Sequence, residues 1–105
     1  MGICNSDKSE RKVRERKPIT LNETETAIVQ CKTCRDKIKQ YIKKLEIRQN
    51  NCREKAKQLL LSKERDRAKF YLRQSKIHQE QIKISDGQLE MVESKIKQIE
   101  SVQNL

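Results

Sequence analysis

Residues 31–59 read CKTCRDKIKQYIKKLEIRQNNCREKAKQL, and within them Cys31, Ile38, Leu45, Cys52 and Leu59 recur every seven residues. Ala27, Cys34 and Tyr41 supply a second row. Together the two rows advance in alternating steps of four and three, the spacing of a helix packed along another helix. Arg48 interrupts the second row, and Ile28, Ile42 and Ala56 widen the stripe. The pattern predicts a first helix over about 22–61, roughly 60 Å long at 1.5 Å per residue.

Outward from this stretch, Thr20 or Asn22 is the expected cap of that helix, with Glu23 and Glu25 in its first turn, where the helix dipole favours negative charge. Beyond Leu61 the register changes. Ser62 followed by Glu64 reads as a new N-cap with an acidic first turn, so a second helix is expected over about 63–103. Its stripe is Ala68, Tyr71, Leu72, Ile82, Leu89, Val92, Ile96 and Ile99. Ser75, His78, Ser85 and Asp86 leave its middle poor in apolar contacts, and Gly87 costs about 1 kcal/mol relative to alanine. A bend or fraying is therefore expected near Ser85-Asp86-Gly87.

A short connection between two amphipathic stripes favours antiparallel neighbours. The expected fold is all-α, one long antiparallel hairpin over 20–105 behind a flexible basic leader over 1–19. One continuous helix of about 80 residues is the alternative. Gly2, Gly87 and Pro18 are the only residues of their kinds among 105, too few to punctuate strands and turns. With 38% charged residues a large core is excluded.

The charge is a block. Residues 32–76 carry +11 of the net +10, the rest of the chain summing to slightly negative. Such a block points to a polyanionic partner, an anionic lipid surface or nucleic acid. The start, Met1-Gly2-Ile3-Cys4-Asn5-Ser6, fits the N-myristoylation pattern with Gly2 as the acylated amine. One myristoyl chain anchors only marginally, so a second signal is needed. Cys4 is a candidate for palmitoylation, and Lys8, Arg11, Lys12, Arg14, Arg16 and Lys17 are candidates for contact with anionic lipid. Within the block the corresponding membrane candidates are Lys43, Lys44, Arg53 and Lys57.

No run of about 18 apolar residues spans a bilayer and no secretory signal is evident, so a cytoplasmic protein with reduced thiols is expected. Cys31-Lys32-Thr33-Cys34 is a C-x-x-C, but Cys52 and His78 lie too far along the arms to complete a zinc site. Both of its cysteines are expected in the seam, with His78 a partly buried seam residue. No glycine-rich phosphate loop, paired acids or nucleophile–base spacing marks a catalytic centre. The expectation is a non-enzyme without cofactor or metal. Basic residues are interleaved with the best heptads rather than separated from them, and aromatics are 3% of the chain, which places nucleic acid second. A general helical scaffold is the remaining alternative.

Gly2, Ala27-Ile28, Arg35-Asp36-Lys37, Tyr41, Gln58-Leu59-Leu60, Arg67-Ala68-Lys69, Gln79-Glu80-Gln81, Gln88-Leu89 and Ile99-Glu100 occur in an order that resembles the amino-terminal half of an ESCRT-III subunit. The type it resembles is charged multivesicular body protein six, or vacuolar sorting protein twenty. The resemblance covers about residues 19–102. It implies a helical hairpin, a myristoylated Gly2 and a basic surface meeting the endosomal membrane. It further implies docking of ESCRT-II near the start of helix 1, with Ile28, Cys31, Arg35, Ile38 and Tyr41 as the contact residues. The subunit would then nucleate filaments of other ESCRT-III subunits in multivesicular-body formation. This chain has Lys63 where that family tends to have glycine at the hairpin turn, and the family's acidic carboxy-terminal half has no counterpart in residues 1–105.

Overall fold

The computed structural model describes residues 23–103, and the expectations for residues 1–22 lie outside them. Two α-helices fill that span, α1 over Glu23–Leu61 and α2 over Arg65–Gln103, folded against each other as an antiparallel hairpin. Each arm has 39 residues and is about 58 Å long. The expected all-α hairpin is the observed architecture, and the single continuous helix is not. Glu23 and Glu25 occupy the first turn of α1 as expected.

The reversal is made by Ser62, Lys63 and Glu64. Glu64 N–H donates to the Leu59 carbonyl at 2.8 Å and Lys63 N–H to the Leu60 carbonyl at 3.0 Å, the paired bonds of a Schellman termination. Lys63 supplies the left-handed residue this motif requires, with φ of 62°. A side chain in that region clashes with its own carbonyl, which is why glycine is favoured there. Ser62 was expected to cap the second helix. Instead its hydroxyl donates to the Gln58 carbonyl at 3.1 Å, its N–H does so at 3.0 Å, and it therefore finishes α1. Glu64 takes the capping position. Its carbonyl accepts from Ala68 N–H at 3.1 Å and its carboxylate accepts from Arg67 at 2.9 Å.

The seam repeats without a break over the whole hairpin. On α1 it runs Ile28, Cys31, Arg35, Ile38, Ile42, Leu45, Gln49, Cys52, Ala56, Leu59, all buried or half-buried. On α2 it runs Ala68, Tyr71, Ser75, His78, Ile82, Ser85, Leu89, Val92, Ile96, Ile99, again all buried or half-buried. Both advance in strict steps of three and four, so each layer of one arm meets a gap of the other.

The seven-residue row Cys31, Ile38, Leu45, Cys52, Leu59 is as expected, but the second row is not. Ala27 is half-buried, whereas Cys34, Tyr41 and Arg48 are exposed. Their place is taken by Ile28, Arg35, Ile42, Gln49 and Ala56, one residue further along the chain. Either row lies next to the first on a helix; the observed one carries the larger aliphatic content at Ile28 and Ile42 and so wins the interface. Leu72, expected in the stripe, is 44% exposed.

Small residues let the arms approach closely. Ala56 and Ala68 are 1% and 0% exposed and pack with Leu59 and Tyr71 beneath the turn. Ser75 and Ser85 are buried on α2, and Leu45 of α1 is the one large side chain among the described residues below 2% exposure. The expected fraying near Ser85-Asp86-Gly87 does not occur, and α2 stays helical through these residues. Ser85 lies in the seam, and Gly87 faces outward with nothing within 4 Å of where a Cβ would sit, so tertiary packing of α2 outweighs the local propensity loss.

Three outcomes follow for urea denaturation. Lys63→Gly stabilises by about 1 kcal/mol, because it relieves the left-handed strain; a loss instead would contradict the turn. Gly87→Ala adds about 0.5–1 kcal/mol. Ile42→Ala costs about 2 kcal/mol whereas Tyr41→Ala costs about 0.5 or less, because Ile42 is in the seam and Tyr41, expected there as well, is exposed.

Candidate functional site

A two-helix hairpin has two broad flanks, and the seam fixes which residues share each. Lys32 of α1 and Glu100 of α2 pair at 3.7 Å, and Arg53 lines a cleft with Leu72 and Gln79. Lys32, Lys39, Glu46 and Arg53 therefore share the first flank with Leu72, Gln79, Asp86, Glu93 and Glu100. By helical periodicity the outer rows of that flank are Asp36, Lys43, Asn50 and Lys57 on α1, and Lys69, Lys76, Lys83, Glu90 and Lys97 on α2. Its charge is split lengthwise. The half near the turn is basic, while Asp86, Glu90, Glu93 and Glu100 line the half near the open end.

The second flank is composed differently. α1 contributes Ala27, Cys34, Tyr41, Arg48 and Lys55, and behind them Gln30, Lys37, Lys44, Asn51 and Gln58. α2 contributes Gln74, Gln81, Gln88 and Lys95, and behind them Phe70, Ile77, Ile84, Met91 and Gln98. Between Ala27 and Gln58 on α1 and between Phe70 and Gln98 on α2 these rows hold no carboxylate, although Asp and Glu are 15 of 105 residues; Glu23, seven residues before Gln30, ends the outer α1 row in the first turn of the helix. Phe70, Ile77, Ile84 and Met91 form an apolar ladder with steps of seven, 47%, 49%, 62% and 68% exposed. Phe70 also meets Tyr71 edge-on at 5.1 Å between ring centroids, which anchors the ladder's first rung to the seam.

The candidate residues divide between these surfaces. Of the membrane candidates, Lys43, Arg53 and Lys57 lie on the first flank and Lys44 on the second, all exposed. Lys57 is partnered by Glu54 at 3.8 Å, an exposed pair of small energetic weight. Gly2, Cys4, Lys8, Arg11, Lys12, Arg14, Arg16 and Lys17 lie outside the described residues. Of the partner candidates, Ile28, Cys31, Arg35 and Ile38 face α2 in the seam, and Tyr41 is 46% exposed on the second flank. Arg35 lays its stem along the seam and donates from Nε to Asp36 at 3.0 Å. The ladder on α2 was not anticipated. Its signal was present in the seven-residue spacing of Phe70, Ile77, Ile84 and Met91, one position ahead of the seam row.

The described cysteines and the histidine form no metal-binding cluster among the described residues. Cys31 and Cys52 are half-buried in the seam, whereas Cys34, expected beside them, is exposed. No group of three His, Cys, Asp or Glu among the described residues could hold a metal ion. His78 is a half-buried seam residue as expected, and its Nδ1 is buried without a hydrogen-bond partner. With Gln49, Ser75 and Ser85 it makes the middle of the seam polar. Among the described residues no helix is long and apolar enough to cross a membrane.

His78→Leu removes an unsatisfied buried group and fills a seam position. It raises the unfolding free energy by about 1 kcal/mol, read by thermal melting at pH 7. A lowered melting temperature would mean that the imidazole is satisfied in solution.

Comparison with protein-family models, with curated proteins and with solved structures finds no match for this chain.

Proposed function

We propose that this chain is a non-catalytic, membrane-associated subunit of the ESCRT-III type, linking ESCRT-II to nucleation of ESCRT-III filaments on the endosomal surface during multivesicular-body formation. The observation that carries the membrane part is the second flank. A surface holding Lys37, Lys44, Arg48, Lys55 and Lys95, an exposed apolar ladder and no carboxylate beyond Glu23 at its open end has the chemistry of an interfacial binder: cations for anionic headgroups, apolar side chains for the acyl boundary. Acylation at Gly2, with Cys4 and the basic leader as second signals, would tether the same molecule. The endosomal setting and the ESCRT partners rest on the resemblance of the quoted residues alone.

The hairpin narrows where partners can dock. With Ile28, Cys31, Arg35 and Ile38 engaged by α2, an ESCRT-II contact near the start of α1 falls to the exposed neighbours Val29, Cys34 and Tyr41, unless the arms part.

Cosedimentation of acylated protein with phosphatidylserine vesicles tests the reading. Lys44→Glu with Arg48→Glu, Ile77→Glu with Ile84→Glu, and Gly2→Ala each weaken binding by about tenfold or more, at unchanged helicity because the described positions are exposed. Binding indifferent to all three would sink the membrane mechanism. Salt-dependent duplex binding by a protein that ignores the vesicles would favour the nucleic-acid alternative.

A further inference from the structure

On the first flank, away from the apolar ladder, Arg53, Lys69, Arg73 and Lys76 line a cleft of about 390 Å³ between the arms. Leu72, Ser75 and Gln79 complete its lining. None of the four cations is in an ion pair among the described residues, and no carboxylate lines the cleft. Lys69, Arg73 and Lys76 stand at steps of four and three on one face of α2, where like charges oppose each other. Arg53 adds a fourth cation from α1 across the seam. No ion pair among the described residues offsets this concentration of charge, and the folding of both arms is what assembles it.

We infer that this cleft is a binding site for a compact ligand carrying two or more phosphate groups on one small scaffold, of the inositol polyphosphate class. The volume falls in the range of small-molecule sites. Arg53 and Arg73 offer forked donors suited to phosphate oxygens, and Lys69 and Lys76 add point charges. Ser75 and Gln79 supply neutral polar groups and Leu72 an apolar wall against a ring. An extended polyanion fits less well. Beyond Lys83 the α2 side of the flank turns acidic through Asp86, Glu90 and Glu93, and no aromatic side chain lines the cleft to stack a base. The same chemistry is presented by a free inositol phosphate and by a phosphoinositide headgroup. The site stands independently of the membrane reading, because it uses the other flank.

Titration calorimetry with inositol hexakisphosphate at physiological salt tests the site, comparing two charge-matched triple variants. Lys69→Gln/Arg73→Gln/Lys76→Gln removes the α2 side of the cleft, and Lys37→Gln/Lys44→Gln/Lys55→Gln removes three cations from the second flank. The first weakens binding by about tenfold or more and the second by less than about threefold. Both sets are exposed, and equal circular dichroism confirms that the hairpin is intact. Vesicles with and without phosphatidylinositol bisphosphate separate the sources. Extra binding to the bisphosphate vesicles that the cleft triple alone abolishes identifies a lipid headgroup, and its absence beside tight binding of the soluble probe identifies a free ligand. Equal weakening by the two triples, no binding of the probe, or its displacement by duplex DNA at equal phosphate concentration would overturn the inference. Loss of phosphatidylserine binding in second-flank variants bears on the membrane reading alone.

Discussion

Everything in this molecule hangs on a single interhelical seam. Among the described residues two arms of 39 residues have only each other to pack against, so the apolar contacts between them that offset the cost of ordering them lie in one strip. The strict three-four alternation from Ile28 to Leu59, met by the same alternation from Ala68 to Ile99, keeps that strip straight along both arms. Leu45 can be 1% exposed in a structure two helices thick because small side chains on the facing helix bring the backbones together. The left-handed Lys63 is the local cost of returning the chain at the point where the seam closes on Ala56, Leu59 and Ala68.

The seam also makes the surfaces. Folding sorts a sequence with intermixed charge into two flanks of different composition, one basic near the turn and with acidic residues of α2 near the open end, the other free of carboxylates beyond Glu23 and crossed by the Phe70–Met91 ladder. Neither flank exists on a single arm: the second combines cations mainly of α1 with apolar groups of α2, and the Arg53 cleft needs both. Any process that parts the arms would expose Ile28 and Ile38 and at the same time dismantle both surfaces. Hairpin closure and surface chemistry are thereby coupled without a dedicated switch.

The heptad row through Leu45 was legible in the sequence, and with it the helix pair, its extents and its antiparallel order. The companion row was misplaced by one residue because Cys34 and Tyr41 count as apolar while Arg35 and Gln49 do not; Arg35 enters the seam with its stem and Asp36 holds its head. Ser62 has the chemistry of an N-cap, yet its hydroxyl is used by the helix before it, a choice set by how the turn closes. Gly87 looked like a hinge because propensity is local, whereas α2 is held by packing on its far side. The basic block was visible as a count, but its division between two flanks follows only once the seam is known. That division moved Lys43, Arg53 and Lys57 away from Lys44.

A distance across the open end discriminates most directly between a closed hairpin and an extended rod. With the native cysteines replaced by serine, spin labels at Gln30 and Gln98 occupy exposed positions on the same flank, 68 residues apart in sequence. Pulsed electron–electron resonance on the free protein should give a narrow distribution centred within about 20 Å, as two packed arms require. A distribution near about 100 Å, the span of a continuous helix, would contradict the seam and with it both flanks.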